Sequence, residues 1–462
     1  MHALHFRNHI ANYVNSLFFP MMTALLAFLC WLVRTDFVWI FFSLYILSCF
    51  LPLFSSDGRG YLPLLFFLII ITNKDIHFLG GIPVTMIIGI TFFTISLIIY
   101  LIVNKPKLNT GTIFYSFLFL FIIFLVSYLK STIINGGSGR TGILYLLAFF
   151  LLLCVHAMLN SILGQGETMP YFAKTYACFA LAASLETFTI IIFENSFELA
   201  SPSFTLGWSY TRETVSSFLV LSLPFFGLLI HEKKPIWAIP AILVILCLIF
   251  LSTDSGLLCL IAFIIPLIFF TLNGTSEYAP YFIMIFLLLL GIVFGLLMGI
   301  NAEFNSRIAK AISRLNFFSD ENRNAILSVW NNLKKEPILG QSITSIVNND
   351  GTLVLANNTI LSSLVLGGIC GLAMYVVYEV NLYRSFIKKK MKGKSIFLIF
   401  LLMIEAIGLI DNTIYNIAIL LVVLMALSVF RQSNRPDEVL IHDDFFTVKD
   451  EDSNMTINRN LS

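Results

Sequence analysis

The chain has 462 residues and a formal net charge of +2; 58% of its residues are hydrophobic and only 12% are charged. Soluble domains carry about 25% charged residues, so this chain has about half of the usual supply. Together with a mean hydropathy of +0.90, this composition excludes a soluble globular protein. The seven cysteines lie within or beside apolar runs, without the spacing of a metal site or of a disulfide framework.

Apolar runs long enough to cross a hydrocarbon core of about 30 Å recur along the whole sequence. They predict an all-α polytopic integral membrane protein with about fourteen transmembrane helices. The third and the thirteenth runs are short, so either could be re-entrant, and twelve helices is the alternative total. The predicted spans are 17–33, 37–54, 61–73, 82–103, 112–129, 143–160, 171–193, 215–231, 236–252, 256–272, 281–300, 358–380, 396–410 and 413–430.

Lysine and arginine in short loops indicate how a membrane protein is oriented. With fourteen spans, both termini lie on the same side as the basic stretches NKPK (104–107), HEKKP (231–235) and RSFIKKKMKGK (384–394). We therefore expect both termini in the cytoplasm. The tail 431–462 is polar and acidic, which predicts a disordered cytoplasmic extension.

The opposite side carries three longer loops, at 130–142, 194–214 and 301–357. The chain thus divides into a bundle of about eleven spans at 1–300, an outer loop at 301–357, C-terminal helices at 358–430 and the acidic tail. Loops of more than about 15 residues are uncommon unless they are functional or disordered. The 301–357 loop has helical patterns, so we expect it to be functional.

Two amphipathic helices are predicted within the 301–357 loop. The first places Ile308, Ile312 and Leu315 on one stripe. The second begins after Ser319, a favoured N-cap, and should end before Pro337. Helices of this kind lie on, or dip into, a membrane surface. The apolar face of the second helix comprises Ile326, Val329, Trp330 and Leu333.

Arginines of this loop are candidate anion ligands. Arg323 lies one turn inside the second helix, where a cation beside free backbone N–H groups suits a phosphate. Arg307 and Arg314 are seven residues apart and share a face of the first helix. The alternative is that the arginines extend along the membrane surface or pair with acidic residues of the loop, namely Glu303, Asp320, Glu321 and Glu336.

Two more arginines lie on the predicted outer side. Arg212 and the adjacent Glu213 precede the span that starts at Val215, with Thr211 or Thr214 as the expected helix cap. Arg140, in NGGSGRTG, is flanked by glycines that allow close approach of a ligand to the backbone. The outer loops favour arginine over lysine, and arginine forms bidentate hydrogen bonds to phosphate.

Ionisable side chains inside the predicted spans are few, and they include Glu186, Glu405 and His156. An intramembrane acid is a functional candidate by default. The sequence has no repeated acidic pattern of a proton or sodium relay, so we expect these side chains to form hydrogen bonds between helices. Asp254, at an outer helix junction in LSTDSG, is expected to cap the next span.

The stretch ANNTILSSLVLGGICGL (356–372) combines polar amides with a glycine face. Gly367 and Gly371 are four residues apart, a spacing that lets two membrane helices approach closely. Asn357 and Asn358 precede the helix, where an amide can satisfy free N–H groups. We interpret them as a rim that orients substrate, with at least one of them also capping the helix.

The order of these features resembles the O-antigen polymerase and O-antigen ligase superfamily. The family pattern is an Arg and a Trp on a periplasmic helix, a Pro-x-x-Gly turn, and His-Asn-x-x-Leu leading to Gly-hydrophobic-x-Gly. Here these correspond to Arg323, Trp330, PILG and NNTILSSLVLGGICGL. GWSYTRETVSSFLVLSLP (207–224) and LSTDSGLLCLIAF (251–263) occupy the places of two upstream motifs, so the resemblance spans about 205–430.

Two positions depart from the family pattern. Asn357 replaces the family histidine, and an asparagine cannot act as a general base. Asp254-Ser255-Gly256 stands where the family has Ser-Arg-Gly, so the arginine of that motif is replaced. The missing histidine counts most against the ligase branch, which is thought to use that side chain near its acceptor.

The resemblance implies a fold like that of the GT-C glycosyltransferases, in the bacterial inner membrane, with the active site at the periplasmic face. The implied substrate is an undecaprenyl-diphosphate-linked oligosaccharide, whose glycan is transferred onto the next lipid-linked unit, with inversion at the anomeric carbon. Arg323, Arg212, Arg314 and Arg307 would contact the diphosphate, and Glu213 is the candidate base. We expect no metal, cofactor or nucleic acid, and a chain-length regulator as a possible protein partner.

Three alternatives stand beside a polymerase. An O-antigen ligase would join finished polymer to the lipid A core. A flippase for lipid-linked sugars would bind the same diphosphate, but flippases show two related halves and short outer loops. No internal repeat is visible in this sequence, and the 301–357 loop is long. The third alternative is a structural partner of the chain-length regulator without chemistry of its own.

Overall fold

Helices dominate the computed structural model of the chain. Apart from helices, the described part contains one antiparallel pair of short strands, β1 (His77–Phe78) and β2 (Ile82–Pro83). The predicted all-helical architecture is therefore confirmed. The structure describes residues 2–32, 35–70, 77–78, 82–135, 140–163, 168–194, 212–232, 235–251, 253–272, 327, 329–331, 333–334, 336–340, 358–387, 394–410 and 416–432.

The helices follow the apolar runs because each run satisfies its own backbone hydrogen bonds only as a helix in lipid. Short 3₁₀ turns at Leu51–Phe54, Gly58–Gly60 and Pro235–Trp237 flank some of them. In chain order the helices are α1 (His2–Val14), α2 (Phe18–Leu32), α3 (Thr35–Cys49), α4 (Tyr61–Ile70), α5 (Val84–Asn104), α6 (Gly111–Asn135), α7 (Arg140–Ile162), α8 (Thr168–Glu194), α9 (Arg212–His231), α10 (Ala238–Leu251), α11 (Asp254–Leu272), α12 (Thr359–Ile387), α13 (Lys394–Ile410) and α14 (Ile417–Gln432).

Several of these helices are long and apolar enough to cross a membrane, which makes the chain a multi-pass membrane protein. Within the described residues, five helices meet this criterion, and a sixth span results if the bent pair α1–α2 counts as one. Every predicted span except 281–300 overlaps a described helix, and 281–300 lies outside the described residues. Other apolar helices within the described residues are 10–17 residues long.

Hydrogen bonds between chain-distant residues define two opposite ends of the bundle. At one end, which we call the tail end, Arg431 donates to Asn109, and Gln432 donates to the Asn160 carbonyl oxygen. The other end, which we call the site end, contains the Lys130–Glu336 ion pair and the starts of α9, α11, α12 and α14. The basic loops at 104–107 and 231–235 adjoin helix termini at the tail end, as the predicted topology requires.

The C-terminal helices pack among the earlier ones. α12 lies along α6, α13 lies against α9 and α11, and α14 contacts α7 and α8. His156 of α7 is buried and bonds across to α14: its Nδ1 is 2.8 Å from Ser428 Oγ and 3.2 Å from the Leu424 carbonyl oxygen. Its predicted role in a hydrogen bond between helices is confirmed.

The two intramembrane acids identified from the sequence differ in their surroundings. Glu405 of α13 lies beside Tyr375 and Glu379 of α12, and Glu379 is a third acid, within the predicted span 358–380. Glu186 of α8 is completely buried, and neither of its carboxyl oxygens has a hydrogen-bond partner within the described part of the chain. The hydrogen bond expected for Glu186 is therefore not found there.

α9 and α11 approach closely at the site end because Gly256 has no side chain. Thr253 Oγ1 donates to Ser216 Oγ at 2.6 Å and accepts from the Gly256 N–H at 3.3 Å. A Cβ added at Gly256 would overlap Ser216 Oγ and come within 2.8 Å of Thr253 Oγ1. The glycine thus permits the contact that joins the starts of the two helices.

We predict that Gly256→Ala lowers the stability of the detergent-solubilised protein by about 1–3 kcal/mol, because the added methyl forces two packed hydroxyls apart. A thiol-reactive dye can follow unfolding on heating, since most of the described cysteines are buried. Ser216→Ala combined with Gly256→Ala should recover part of the loss, because it removes the atom that is overlapped. Equal stability of Gly256→Ala and the parent protein would contradict the prediction.

A second prediction concerns Glu186. Replacing a buried carboxyl that lacks partners with a similarly sized apolar side chain removes a desolvation cost, so Glu186→Leu should raise stability by about 1–3 kcal/mol. The same dye assay measures the midpoint temperature of unfolding. The matched control is His156→Leu, which removes a bonded polar group and should lower the midpoint. A lower midpoint for Glu186→Leu would show that the carboxyl is stabilising.

Candidate functional site

Helix N-termini meet at the site end. α9, α11 and α14 all begin there, and α9 contacts both of the others. The first N–H groups of a helix lack intrahelical partners and carry a partial positive charge, which favours anions within the first turn. A group of adjacent N-termini is therefore a surface suited to a phosphate.

Side-chain hydrogen bonds tie the three N-termini together. Asn416 Nδ2 donates to Thr214 Oγ1 at 2.7 Å, while Asn416 Oδ1 accepts from the Ala418 N–H at 3.1 Å and so caps α14. The Thr253–Ser216 hydrogen bond connects α11 to α9 in the same way. We call Thr214, Ser216, Thr253 and Asn416 the tied cluster. It fixes the relative positions of the three helix starts.

The structure bears on two cap assignments made from the sequence. Of the two threonines expected to cap α9, Thr214 lies inside the helix and bonds instead to Asn416 of α14. Thr211 directly precedes the first helical residue but is outside the described residues, so its capping role stays a prediction. Asp254 was expected to cap α11, but Thr253 is the cap, and Asp254 is the first helical residue. Sequence alone could not place the helix starts to within one residue, which decides the cap.

Arg212 and Glu213 begin α9 beside the tied cluster. Glu213 lies in the first turn and is partly exposed, where a carboxylate is favoured by the helix dipole. The side chain of Arg212 lies outside the described set, as does that of Arg140, which begins α7. The diphosphate contact of Arg212 and the base role of Glu213 therefore stay predictions, as does a pairing of these two adjacent side chains, which is the alternative role for Glu213.

A break interrupts α12 at Gly368. This glycine has φ 60° and ψ −151°, values that ordinary residues rarely adopt. A helical chain would pair the N–H groups of Ile369 and Cys370 with the carbonyls four residues earlier. Here they donate to Pro337 O at 2.9 Å and Ile338 O at 3.2 Å. The break therefore opens the helix to a different segment of the chain.

That segment is the turn Glu336–Gly340, which we call the seated turn. Its Gly340 has φ 66°, and its N–H donates to the Glu336 carbonyl at 3.2 Å. A Cβ on Gly340 would meet the Val365 carbonyl oxygen and would lie 2.6 Å from the Gly368 nitrogen. A Cβ on Gly368 would be 2.5 Å from the Ile338 carbonyl. Both glycines are required for the two backbones to approach so closely.

One face of α6 supports the break and the seated turn. Phe124 packs where Cβ atoms on Gly367 and Gly371 would lie, at 3.2 and 3.7 Å. One turn further, Ser127 Oγ donates to the Leu366 carbonyl oxygen at 3.1 Å. Lys130 Nζ then pairs with Glu336 Oε2 at 2.8 Å. Gly367 and Gly371 thus serve close helix packing, as their spacing predicts.

The described residues just before the seated turn are helical, and the helix gives way to a turn at Glu336 and Pro337, as predicted. Val329 is buried, but Trp330 is 54% exposed, with Lys334 Nζ 5.7 Å from its ring centroid. Exposure of the indole fits the predicted role of this apolar face at a membrane surface, which stays a prediction. The outward indole remains available to lipid or to a sugar.

Asn358 caps α12. Its Oδ1 accepts from the N–H groups of Ile360 at 2.8 Å and Leu361 at 3.1 Å, and its Nδ2 donates to the Leu409 carbonyl at the end of α13. The capping role is confirmed. These contacts occupy the acceptor and one N–H of the amide, so one N–H remains for the proposed contact with a sugar hydroxyl.

Four predicted site residues lie outside the described part of the chain: Arg307, Arg314, Arg323 and Asn357. Their roles stay predictions. Of the acids that were alternative partners for these arginines, Glu336 forms an ion pair with Lys130. In the residues that the structure covers, no three His, Cys, Asp or Glu side chains are grouped so as to hold a metal ion.

Sequence reasoning missed the residues that join distant segments. Lys130 was assigned only to a loop boundary, and Asn416 and Ser216 were not singled out. A lone lysine at the end of an apolar helix is a weak signal that a partner exists. Its partner Glu336 is 206 positions away, and no local pattern encodes such a pairing.

Asn358→Ala should lower stability by about 1 kcal/mol, because two helix N–H groups lose their acceptor. Asn358→Asp keeps the acceptor and should retain most of that stability. Comparing the two separates capping from recognition, since only the amide can donate to the Leu409 carbonyl or to a ligand. Full stability of Asn358→Ala in the dye assay would contradict the capping role.

Comparison of the sequence with models of known protein families finds no match, and no curated protein matches it. Its resemblance to the O-antigen polymerase and ligase superfamily is therefore carried by the named residues and their order alone.

Proposed function

We propose that this protein is a surface-polysaccharide polymerase with a fold like that of the GT-C glycosyltransferases. It would transfer a growing glycan from undecaprenyl diphosphate onto a new lipid-linked repeat unit at the periplasmic face. One observation carries the proposal. PILG (337–340), in the seated turn, and the glycine stretch 367–371 resemble two separate family motifs, and they are in contact at the site end. Residues that form one site are expected to meet in this way.

The proposed reaction needs little covalent chemistry from the protein. An acceptor hydroxyl attacks the anomeric carbon of the donor sugar, a C–O bond forms, and the bond from that carbon to the diphosphate oxygen breaks. The electron pair leaves with undecaprenyl diphosphate, and the hydroxyl proton passes to a base, for which Glu213 is the candidate. Preorganised positive groups that bind the developing diphosphate charge are then the main source of rate.

The charge of the site end suits this task. The starts of α9, α11 and α14 present N–H groups within one cluster. Arg212 begins α9, and Arg323 belongs to the loop that the seated turn anchors. An arginine binds two phosphate oxygens at once in its planar fork, which a lysine cannot do. Arg323 and Arg212 are therefore proposed as the first diphosphate contacts, followed by Arg314 and Arg307.

The donor lipid reaches the site from the bilayer, so its diphosphate lies at the membrane surface. Trp330, outward-facing and beside Lys334, lies where an aromatic ring at the membrane surface could stack on a sugar. Arg140 at the start of α7, together with Asn357 and Asn358 before α12, would line the sugar side of the same end.

Deletion of the gene tests the proposed reaction. A polymerase predicts lipid A core that carries a single repeat unit, because ligation continues while chain extension stops. Accumulation of finished lipid-linked polymer would identify a ligase instead. Lipid A core that carries no repeat unit, without accumulation of such polymer, would indicate a flippase. Separation of the surface polysaccharide by gel electrophoresis, with analysis of lipid-linked intermediates, distinguishes these results.

Arg323→Ala should abolish polymer while the protein remains in the membrane at its normal amount, because the leaving diphosphate loses a charge-assisted pair of hydrogen bonds. Removing one such stabilising group costs about 100- to 1,000-fold in rate. Arg323→Lys keeps the charge without the fork and should recover only part of the activity. Normal chain lengths with Arg323→Ala would refute the diphosphate contact.

A further inference from the structure

We propose that Lys130 and Glu336 are positioning residues that hold the seated turn in the break of α12 and thereby fix the end of the loop helix that carries Trp330. This inference rests on the proposed function for its effect on chain extension. The Lys130–Glu336 ion pair, which we call the clamp, also has a readout that is independent of that function. Neither residue would touch the substrate; both act through the loop that they hold.

The break at Gly368, together with the N–H groups that it frees, forms what we call the seat, and it fixes the position of the turn along α12. Two backbone hydrogen bonds, from Ile369 and Cys370 to the carbonyls of Pro337 and Ile338, define the register. Close contact between Gly340 and Gly368 leaves no room for the turn to shift by one residue without a clash. The Lys130–Glu336 ion pair connects the turn to α6.

This ion pair is suited to positioning rather than to stability. Both side chains are about one-third exposed, at 34% and 31%, and partly exposed ion pairs contribute little to stability. The pair nevertheless joins α6 to the residue at which the loop helix ends. Trp330 lies six residues before Glu336, which is about 9 Å along a helix. A rotation at Glu336 therefore displaces the indole.

Charge reversal tests the clamp. Lys130→Glu and Glu336→Lys should each reduce polymer formation by about 10- to 100-fold, since small misplacements of a positioning group have effects of that size. The double variant restores the pair in reversed order and should regain polymer. Lys107→Glu, at the tail end, is the matched control and should have no effect. Protein in the membrane is quantified for every variant.

Hydrogen exchange provides the independent readout. The N–H groups of Ile369 and Cys370 are protected by the seated turn, so Gly340→Ala should make the peptide that contains them exchange faster. Each single charge reversal should do the same, and the double variant should restore protection. Ile338→Ala is the control, because its side chain is outward-facing and its carbonyl is retained.

The outcomes are distinguishable. Unchanged exchange in Gly340→Ala would overturn the seat. Normal polymer in both single charge reversals, or no recovery in the double variant, would overturn the positioning role. Faster exchange with unchanged polymer would leave the seat intact and remove its link to chain extension. Normal polysaccharide in the gene deletion would refute the proposed function while the exchange experiment still tests the seat.

Discussion

A break in a membrane helix must find new partners for the backbone groups that it frees, because lipid offers none. In α12 that requirement is met by the turn Glu336–Gly340, whose carbonyls accept the N–H groups of Ile369 and Cys370. Ser127 supplies the donor for the Leu366 carbonyl on the other side of the break. The break, the turn and the face of α6 thus depend on one another. Removing any of them leaves polar groups unsatisfied within the bundle.

The arrangement of helices at the site end also depends on how free backbone groups find hydrogen-bond partners. The starts of α9, α11 and α14 are joined through side chains that also serve as caps, so their remaining N–H groups face a common region. Helix C-termini at this end would oppose an anion. One of them, at α13, has its Leu409 carbonyl occupied by Asn358. The tail end differs, since Arg431 lies there in the last turn of α14 and bonds to Asn109.

Much of the fold was predictable because hydrophobic run length is a local property of the chain. Apolar runs located the helices, and Pro337 and Asn358 marked a helix end and a cap. Contacts between distant segments were not predictable, as Lys130 with Glu336 and Gly340 with Gly368 show. A helical stripe also does not reveal which neighbour each residue meets, since Val329 is buried in the protein and the adjacent Trp330 is exposed. The arginines that define the candidate site were predicted from chemistry alone, and that part of the prediction awaits experiment.

The packing of the C-terminal helices bears on the choice between a polymerase and a flippase. A transporter with alternating access moves one half of its bundle against the other, and its helices group accordingly. Here α12 is fastened to α6 through Phe124, Ser127 and Lys130, while α14 packs on α7 and α8. Such interleaving resists the separation of two halves. It supports the proposed transferase over a flippase, because a transferase needs a fixed surface on which to align a donor with an acceptor.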